Sequence, residues 1–326
     1  MQLTDTFGRV HNYLRLSLTH HCNFKCTYCM PETHAVFPAK SIMNADEIDA
    51  FANIFYTLGV NKIRLTGGEP LLRKDAGEII ERLSKYPVEL SITTNGARLH
   101  HYLSSFKRAG LKSVNISLDT LQEKKFLAIT KTNFFSQVWE NIHQMLHEGF
   151  RVKINMVLMK GVNDEEIIDF VALTKDTDLE VRFIEYMPFN GNLWESKKVM
   201  SQTELLGLIA AKYNFSSKTG NLHDTANHYQ VDNFLGSFAT ISTMSHPFCS
   251  GCNRMRLTAD GKMKNCLFSK KETDLLTAYR NGEDVVPFIK QSILEKAFAT
   301  GGQFYGDFNK INSSNIRNRS MVDIGG

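Results

Sequence analysis

The chain has 326 residues, 42% of them hydrophobic, and a formal net charge of +4. That length can bury a large core and suggests about two domains, although a single α/β barrel can take up about 250 residues. No apolar run approaches the roughly 18 residues of a transmembrane helix, and Lys and Arg are dispersed among acids, so neither a membrane nor a nucleic-acid partner is indicated.

The amino-terminal stretch MQLTDTFGRVHNYL has no apolar signal region or cleavage site, so the six cysteines are expected to be reduced and the location cytoplasmic. The first predicted strand, 13–18, feeds the loop HCNFKCTYCMP, in which Cys22, Cys26 and Cys29 stand as Cys-x₃-Cys-x₂-Cys. A cubane iron–sulfur cluster is ordinarily held by four cysteines. Three local thiolates leave one iron open to a ligand other than protein, which points to chemistry. A structural zinc site would be closed by a fourth Cys or His.

Further strands are predicted over 62–66, 89–94, 113–118, 152–158 and 181–186, with helices between them. Asn44 with Asp46 and Glu47 opens one helix, and Gly59, Gly110 and Gly149 stand just past helix ends, where a left-handed cap favours glycine. Alternating βα units imply a parallel sheet. Six of them make an α/β fold of the partial (β/α)₆ barrel type, two units short of the closed form.

The strands alternate. Arg15 and Ser17, Arg64 and Thr66, Ser91 and Thr93, Asn115 and Ser117, and Lys153 and Asn155 oppose apolar neighbours. With the apolar face against the helices, the polar face lines the barrel, and buried Arg and Lys there require an anion or a solvated ligand. Loops at strand carboxyl ends form the active mouth of such folds. Three motifs fall there: the cysteine loop, Thr66-Gly67-Gly68-Glu69-Pro70, and Thr93-Thr94-Asn95-Gly96. Trp139, His143 and His147 sit in an amphipathic stretch and read as packing and surface.

A second triplet, Cys249-x₂-Cys252 and Cys266, lies inside HPFCSGCNRMRLTADGKMKNCLF. His246 is close enough to complete a Cys₃His zinc site, so spacing alone leaves zinc and a second cluster both open.

The Cys22/Cys26/Cys29 loop with Tyr28 and Met30-Pro31, the Gly-Gly-Glu-Pro turn, the run RFIEYM and the segment Cys249-x₂-Cys252-Asn253-Arg254-x-Arg256 with Cys266 resemble the GTP 3′,8-cyclase family of the radical S-adenosylmethionine superfamily. The resemblance runs from Arg15 to Gly325-Gly326. It implies two [4Fe-4S] clusters, one on Cys22, Cys26 and Cys29 and an auxiliary one on Cys249, Cys252 and Cys266. It implies S-adenosyl-L-methionine contacts at Tyr28, Gly68, Ser117 and Met187. GTP contacts are implied at Arg15, Arg64, Thr93, Lys153, Arg254 and Arg256, with Gly325 and Gly326 reaching into the active site.

The implied reaction converts GTP to (8S)-3′,8-cyclo-7,8-dihydroguanosine 5′-triphosphate, the first step of molybdenum cofactor biosynthesis. The implied partners are an electron donor and a downstream cyclic pyranopterin monophosphate synthase, and the resemblance leaves room for a homodimer. Residues 1–232 are assigned to the barrel and 233–326 to the auxiliary-cluster and GTP-binding region. His20 and His21 replace the family's usual acidic and basic pair, which leaves the loop's outer contacts open.

Overall fold

The computed structural model describes residues 2–31, 38–220, 223–304, 308–311 and 316–325. The six predicted strands are present as β1 (Tyr13–Ser17), β2 (Lys62–Thr66), β3 (Glu89–Thr94), β4 (Ser113–Ser117), β5 (Arg151–Leu158) and β6 (Leu179–Glu185). They pair in parallel in chain order. Between them run α1 (Ala45–Thr57), α2 (Ala76–Leu83), α3 (Leu103–Arg108), α4 (Glu123–Thr130), α5 (Phe135–His147) and α6 (Ile167–Ala172).

Local chemistry sets the helix ends. Asn44 accepts from the Glu47 amide at 2.8 Å while Glu47 accepts from the Asn44 amide at 2.8 Å, a reciprocal cap that satisfies two otherwise orphaned donors. Gly59, Gly110 and Gly149 follow α1, α3 and α5 with φ of +93°, +63° and +79°, the left-handed turn that ends a helix.

Two parallel strands lie beyond the predicted six. α7 (Gln202–Ala210) leads to the antiparallel strands β7 (Phe215–Lys218), β8 (Asn227–Val231) and β9 (Ser237–Ile241), and β9 pairs in parallel with β6. On the opposite edge β10 (Arg254–Leu257) pairs in parallel with β1 and is followed by antiparallel β11 (Lys262–Lys264) and β12 (Thr273–Asp274). Among the described residues the result is one sheet, ordered β12-β11-β10-β1-β2-β3-β4-β5-β6-β9-β8-β7, open at both ends. The 232/233 boundary falls in the turn between β8 and β9, inside that sheet. α8 (Leu275–Arg280) and α9 (Val286–Leu294) cover the β11 edge, and α10 (Met321–Ile324) follows.

The core forms between sheet and helices. Leu14, Leu16, Ile63, Leu65, Ile92, Val114, Ile116 and Ile154 are buried against Phe51, Phe55, Ile80 and Phe106. This fixes the register of the other face, because successive side chains on a strand point to opposite sides. Arg256 stands beside Arg15, Arg15 beside Arg64, and Arg64 beside Ser91. One level on, Thr93, Asn115, Lys153 and Glu180 are neighbours across β3 to β6.

Candidate active site

The polar strand faces and the loops at their carboxyl ends surround one cavity of about 290 Å³. Cys22, Cys26 and Cys29 line it, and so do Cys249, Cys252 and Cys266, although the triplets are far apart in sequence. His246 is exposed and stands off that wall. Among the described residues no three His, Cys, Asp or Glu side chains close around a point suited to a single metal ion.

The first triplet is braced from below. The Lys25 and Thr27 amides donate to Thr130 and Ile129 at the end of α4, at 2.9 and 3.1 Å, and Phe24 packs edge-on against Phe126 with ring centroids 5.7 Å apart. The Cys29 and Met30 amides both donate to the Cys26 carbonyl at 3.0 Å, tightening the turn that gathers the thiols. Burial pushes all three thiols up, Cys22 to about 12 with Glu69 adding to it, and Cys26 with Asp119 adding to it. Such thiols stay protonated until a strongly Lewis-acidic centre displaces the proton. A soft, multiply charged iron–sulfur group suits that donor set.

Hydrogen bonds join the three motifs. The Gly68 and Glu69 amides donate to the Thr19 and His21 carbonyls, each at 2.7 Å. A Cβ on Gly68 would lie 2.4 Å from the His21 carbonyl oxygen, so only glycine permits this approach. The buried Glu69 carboxylate accepts from the Leu71 amide at 3.0 Å, the Thr94 hydroxyl at 2.7 Å and the Asn95 amide at 2.7 Å. Burial pushes Glu69 up to about 7 despite these donors. Asn95 in turn donates to Asn23 in the cysteine loop at 2.8 Å.

Tyr28 donates to Asp119 Oδ2 at 2.8 Å, and Asp119 Oδ1 accepts from the Val157 amide at 2.8 Å. Burial holds the Asp119 carboxyl up at about 6. Asn192 donates to the Tyr28 carbonyl at 3.2 Å and the Met187 carbonyl at 2.9 Å, tying the RFIEYM loop to the cysteine loop.

The second triplet differs at Cys252, while burial pushes the Cys249 thiol up. Cys252 donates its amide to the Cys249 carbonyl at 3.2 Å, and Arg9 donates to the same carbonyl at 2.7 Å. Burial opposes ionisation of Cys252, but Arg254 and Lys296 outweigh it and bring the thiol down to about 7.

Between the triplets the wall is cationic. Arg15, Arg64, Arg182, Arg254 and Arg256 line it, and burial lowers Arg15, Arg64 and Arg256, the last to about 10. Guanidiniums brought into register away from water repel one another and favour a polyanion between them. The Thr66 and Thr93 hydroxyls and Asn155 Oδ1 are buried on the same wall with no hydrogen-bond partner among the described residues. They are free to bind a polar ligand.

Tyr28, Gly68, Ser117, Met187, Arg15, Arg64, Thr93, Arg254 and Arg256 thus share the wall with the six cysteines. Lys153 does not line it. Its ammonium is 3.6 Å from Glu180, and burial beside Arg182 lowers it to about 8. Gly325 packs against Thr66 and Ser17, and its carbonyl accepts from Arg256. Gly326 lies outside the described residues. Asp119 and Asn192 were not singled out from sequence, and Glu69 and Arg182 stood there only within the Gly-Gly-Glu-Pro turn and the run RFIEYM, with no role of their own. For Arg182 a signal exists, since it alternates with Val181 and Phe183 as Arg15 does with its neighbours.

The histidine pair acquires a partner. His20 is buried, with Nδ1 3.3 Å from Asp323 of α10 and Nε2 3.7 Å from Asp260. Asp260 also receives Arg319 at 2.8 and 2.9 Å. The residue before the cysteine loop therefore contacts the segment that carries Gly325.

Residues 16–174 match the family described as Radical SAM superfamily, and residues 179–300 the one described as Molybdenum Cofactor Synthesis C. Molybdenum cofactor biosynthesis protein 1 of Dictyostelium discoideum is 42% identical over 99% of this chain and 52% of its own length. The protein named GTP 3′,8-cyclase, mitochondrial, of Arabidopsis thaliana is 41% identical over 99% of this chain and 83% of its own. The chain spans about half the length of the first of these relatives. Among solved structures, Streptococcus suis SuiB bound to S-adenosylmethionine aligns with a TM-score of 0.57 and 16% identity over 83% of this chain and 66% of that chain, a likeness of fold alone. With near-complete coverage at this identity, and both cysteine triplets on one cavity, the chain belongs to the radical SAM superfamily, in the family whose members are named GTP 3′,8-cyclase and molybdenum cofactor biosynthesis protein 1.

Proposed function

We propose that this chain is a GTP 3′,8-cyclase working at the first step of molybdenum cofactor biosynthesis. The observation that carries the reading is the joint placement of two thiol triplets on one wall with the in-register arginines Arg256, Arg15 and Arg64. Membership of the radical SAM superfamily implies one [4Fe-4S] cluster and S-adenosylmethionine, assigned here to Cys22, Cys26 and Cys29. A second cluster on Cys249, Cys252 and Cys266 is part of the proposal.

When bound, the first cluster and S-adenosylmethionine supply one-electron, hydrogen-abstracting chemistry. The chain supplies placement. Tyr28, fixed by Asp119, and the main chain at Gly68 shape the S-adenosylmethionine side with Ser117 and Met187. Arg15, Arg64, Arg182 and Arg256 take the phosphate oxygens as planar, charge-assisted donors, and the Thr93 hydroxyl gains a partner. Lys153 joins them by leaving Glu180. Arg254 follows Cys252 closely and meets the base end of the nucleotide. Gly325, held by Arg256, closes the space and keeps water from a reactive centre.

In the same reading the enzyme works in the cytoplasm, receives single electrons from a donor, and passes its product to cyclic pyranopterin monophosphate synthase. No described helix is long and apolar enough to cross a membrane. The test is an anaerobic assay of the reconstituted chain with GTP and S-adenosylmethionine, expected to yield methionine and the 3′,8-cyclised triphosphate. A chain that holds its clusters and cleaves S-adenosylmethionine yet leaves GTP intact would overturn the assignment.

A further inference from the structure

Lys296 follows α9 and is only 3% exposed. Its ammonium lies 3.0 Å from the Arg254 carbonyl, 3.4 Å from His11 Nδ1 and 3.5 Å from the Cys252 sulfur. An ammonium has three protons, and these are three acceptors for them. Of the three, only the sulfur can carry a negative charge. A lysine buried this deeply is costly unless an anion compensates, and the group placed to do so is the auxiliary thiolate.

The acceptors are themselves fixed. Asp5, 5% exposed, is an acceptor towards His11 Nε2 at 3.0 Å and receives Arg9 Nε at 2.6 Å. His11 Nε2 therefore carries the proton, and Nδ1 presents its lone pair to Lys296. Arg9 continues to the Cys249 carbonyl at 2.7 Å and to the Phe298 carbonyl at 2.7 Å. An amino-terminal group, Asp5-Arg9-His11, thus grips the loop of the second triplet from behind and aims the lysine at one of its sulfurs. Among the described residues nothing comparable serves the first triplet, whose charged neighbours include the acids Glu69, Asp119 and Asp323.

Hydrogen bonds to ligating sulfur and nearby positive charge both stabilise the more reduced, more negative form of an iron–sulfur cluster and so raise its potential. We propose that Lys296 is a positioning residue for the auxiliary cluster, donating to the Cys252 sulfur and making that cluster easier to reduce than the one on Cys22, Cys26 and Cys29. The inference rests on the two-cluster reading above. In function, the nucleotide side of the cavity becomes the electron-accepting side, and a one-electron reductant that fills the first site fills the second earlier. The step is gain of one electron by the oxidised cluster, with no bond made or broken in the protein.

The test is a dithionite titration of the anaerobically reconstituted full chain, followed by electron paramagnetic resonance, for wild type, Lys296→Met, Lys296→Gln and Lys296→Arg. At fixed potential the reduced-to-oxidised ratio of the auxiliary cluster should fall about tenfold in Lys296→Met, about 59 mV for a one-electron couple. It should fall less in Lys296→Gln, hold in Lys296→Arg, and leave the first cluster unchanged in all three. An unshifted ratio in Lys296→Met with the auxiliary iron in place would overturn the role of Lys296. Loss of auxiliary iron in both neutral variants but not in Lys296→Arg supports the charge requirement; loss in Lys296→Arg as well would reduce the residue to packing. A wild-type chain holding about four irons instead of about eight would overturn the auxiliary site itself, a separate failure read from the same samples.

Discussion

Position 68 decides how the second motif meets the first. A side chain there would press on the His21 carbonyl carbon at 2.6 Å as well as its oxygen, and backbone cannot step aside as a flexible side chain can. Gly68→Ala should cost about 1–3 kcal/mol, the scale of overpacking, and weaken S-adenosylmethionine binding; urea unfolding and ligand titration check both. His11 supplies a pH prediction. Burial, with Lys296 beside it, lowers its imidazole to about 4 despite Asp5. The folded chain refuses a proton that the unfolded chain accepts below its usual 6.5. Stability is therefore full above that pH and falls as pH drops towards about 4, by about 3 kcal/mol in all. His11→Gln should flatten that slope in urea unfolding between pH 6.5 and 5. The cysteines, the Gly-Gly-Glu-Pro turn and the polar strand positions were legible because spacing and alternation are local. Asp119, Asn192 and Lys296 were not, because their partners Tyr28, again Tyr28, and Cys252 lie 91, 164 and 44 residues away.

At the scale of elements, the six strand predictions rest on β-branched runs bounded by turns, and the register of their polar faces followed from alternation alone. β9 and β10 escaped for different reasons. β10 is the short run Arg254-Met255-Arg256-Leu257, absorbed into the cysteine motif although it alternates as β1 does; β9 offers SFATI, with no charge to mark a face. α10 is four residues long, yet Val322 and Ile324 are buried, and its Asp323 meets His20. Its anchorage is thus independent of the glycines that follow. Deleting Gly325 and Gly326 should leave iron content and melting temperature nearly unchanged while lowering GTP cyclisation severely. A deletion variant with full turnover would show that the Arg256 contact to the Gly325 carbonyl has no part in the reaction.

At the scale of the whole molecule, one cavity is shared by two sequence regions that also share one sheet. Residues 233–326 supply β10 to one edge of the parallel strands and β9 to the other, so residues 1–232 alone leave both β1 and β6 unpaired on one side. That fragment should fail to give a cooperative unfolding transition by circular dichroism; a sharp transition would mark the barrel as self-sufficient.

Pairing of β1 with β10 also has a consequence in time. Arg15 and Arg256 are register partners separated by about three quarters of the chain. At about 5–20 residues per second on the ribosome, the nascent β1 edge stays bare for roughly 10–50 s before its neighbour emerges. An edge of this kind is a template for strand addition from another chain, and a charge in its middle is a standard guard against that. Arg15, placed between Leu14 and Leu16, is such a guard. The guanidinium proposed to meet a phosphate in the finished fold is thus, until β10 arrives, the charge standing on that open edge.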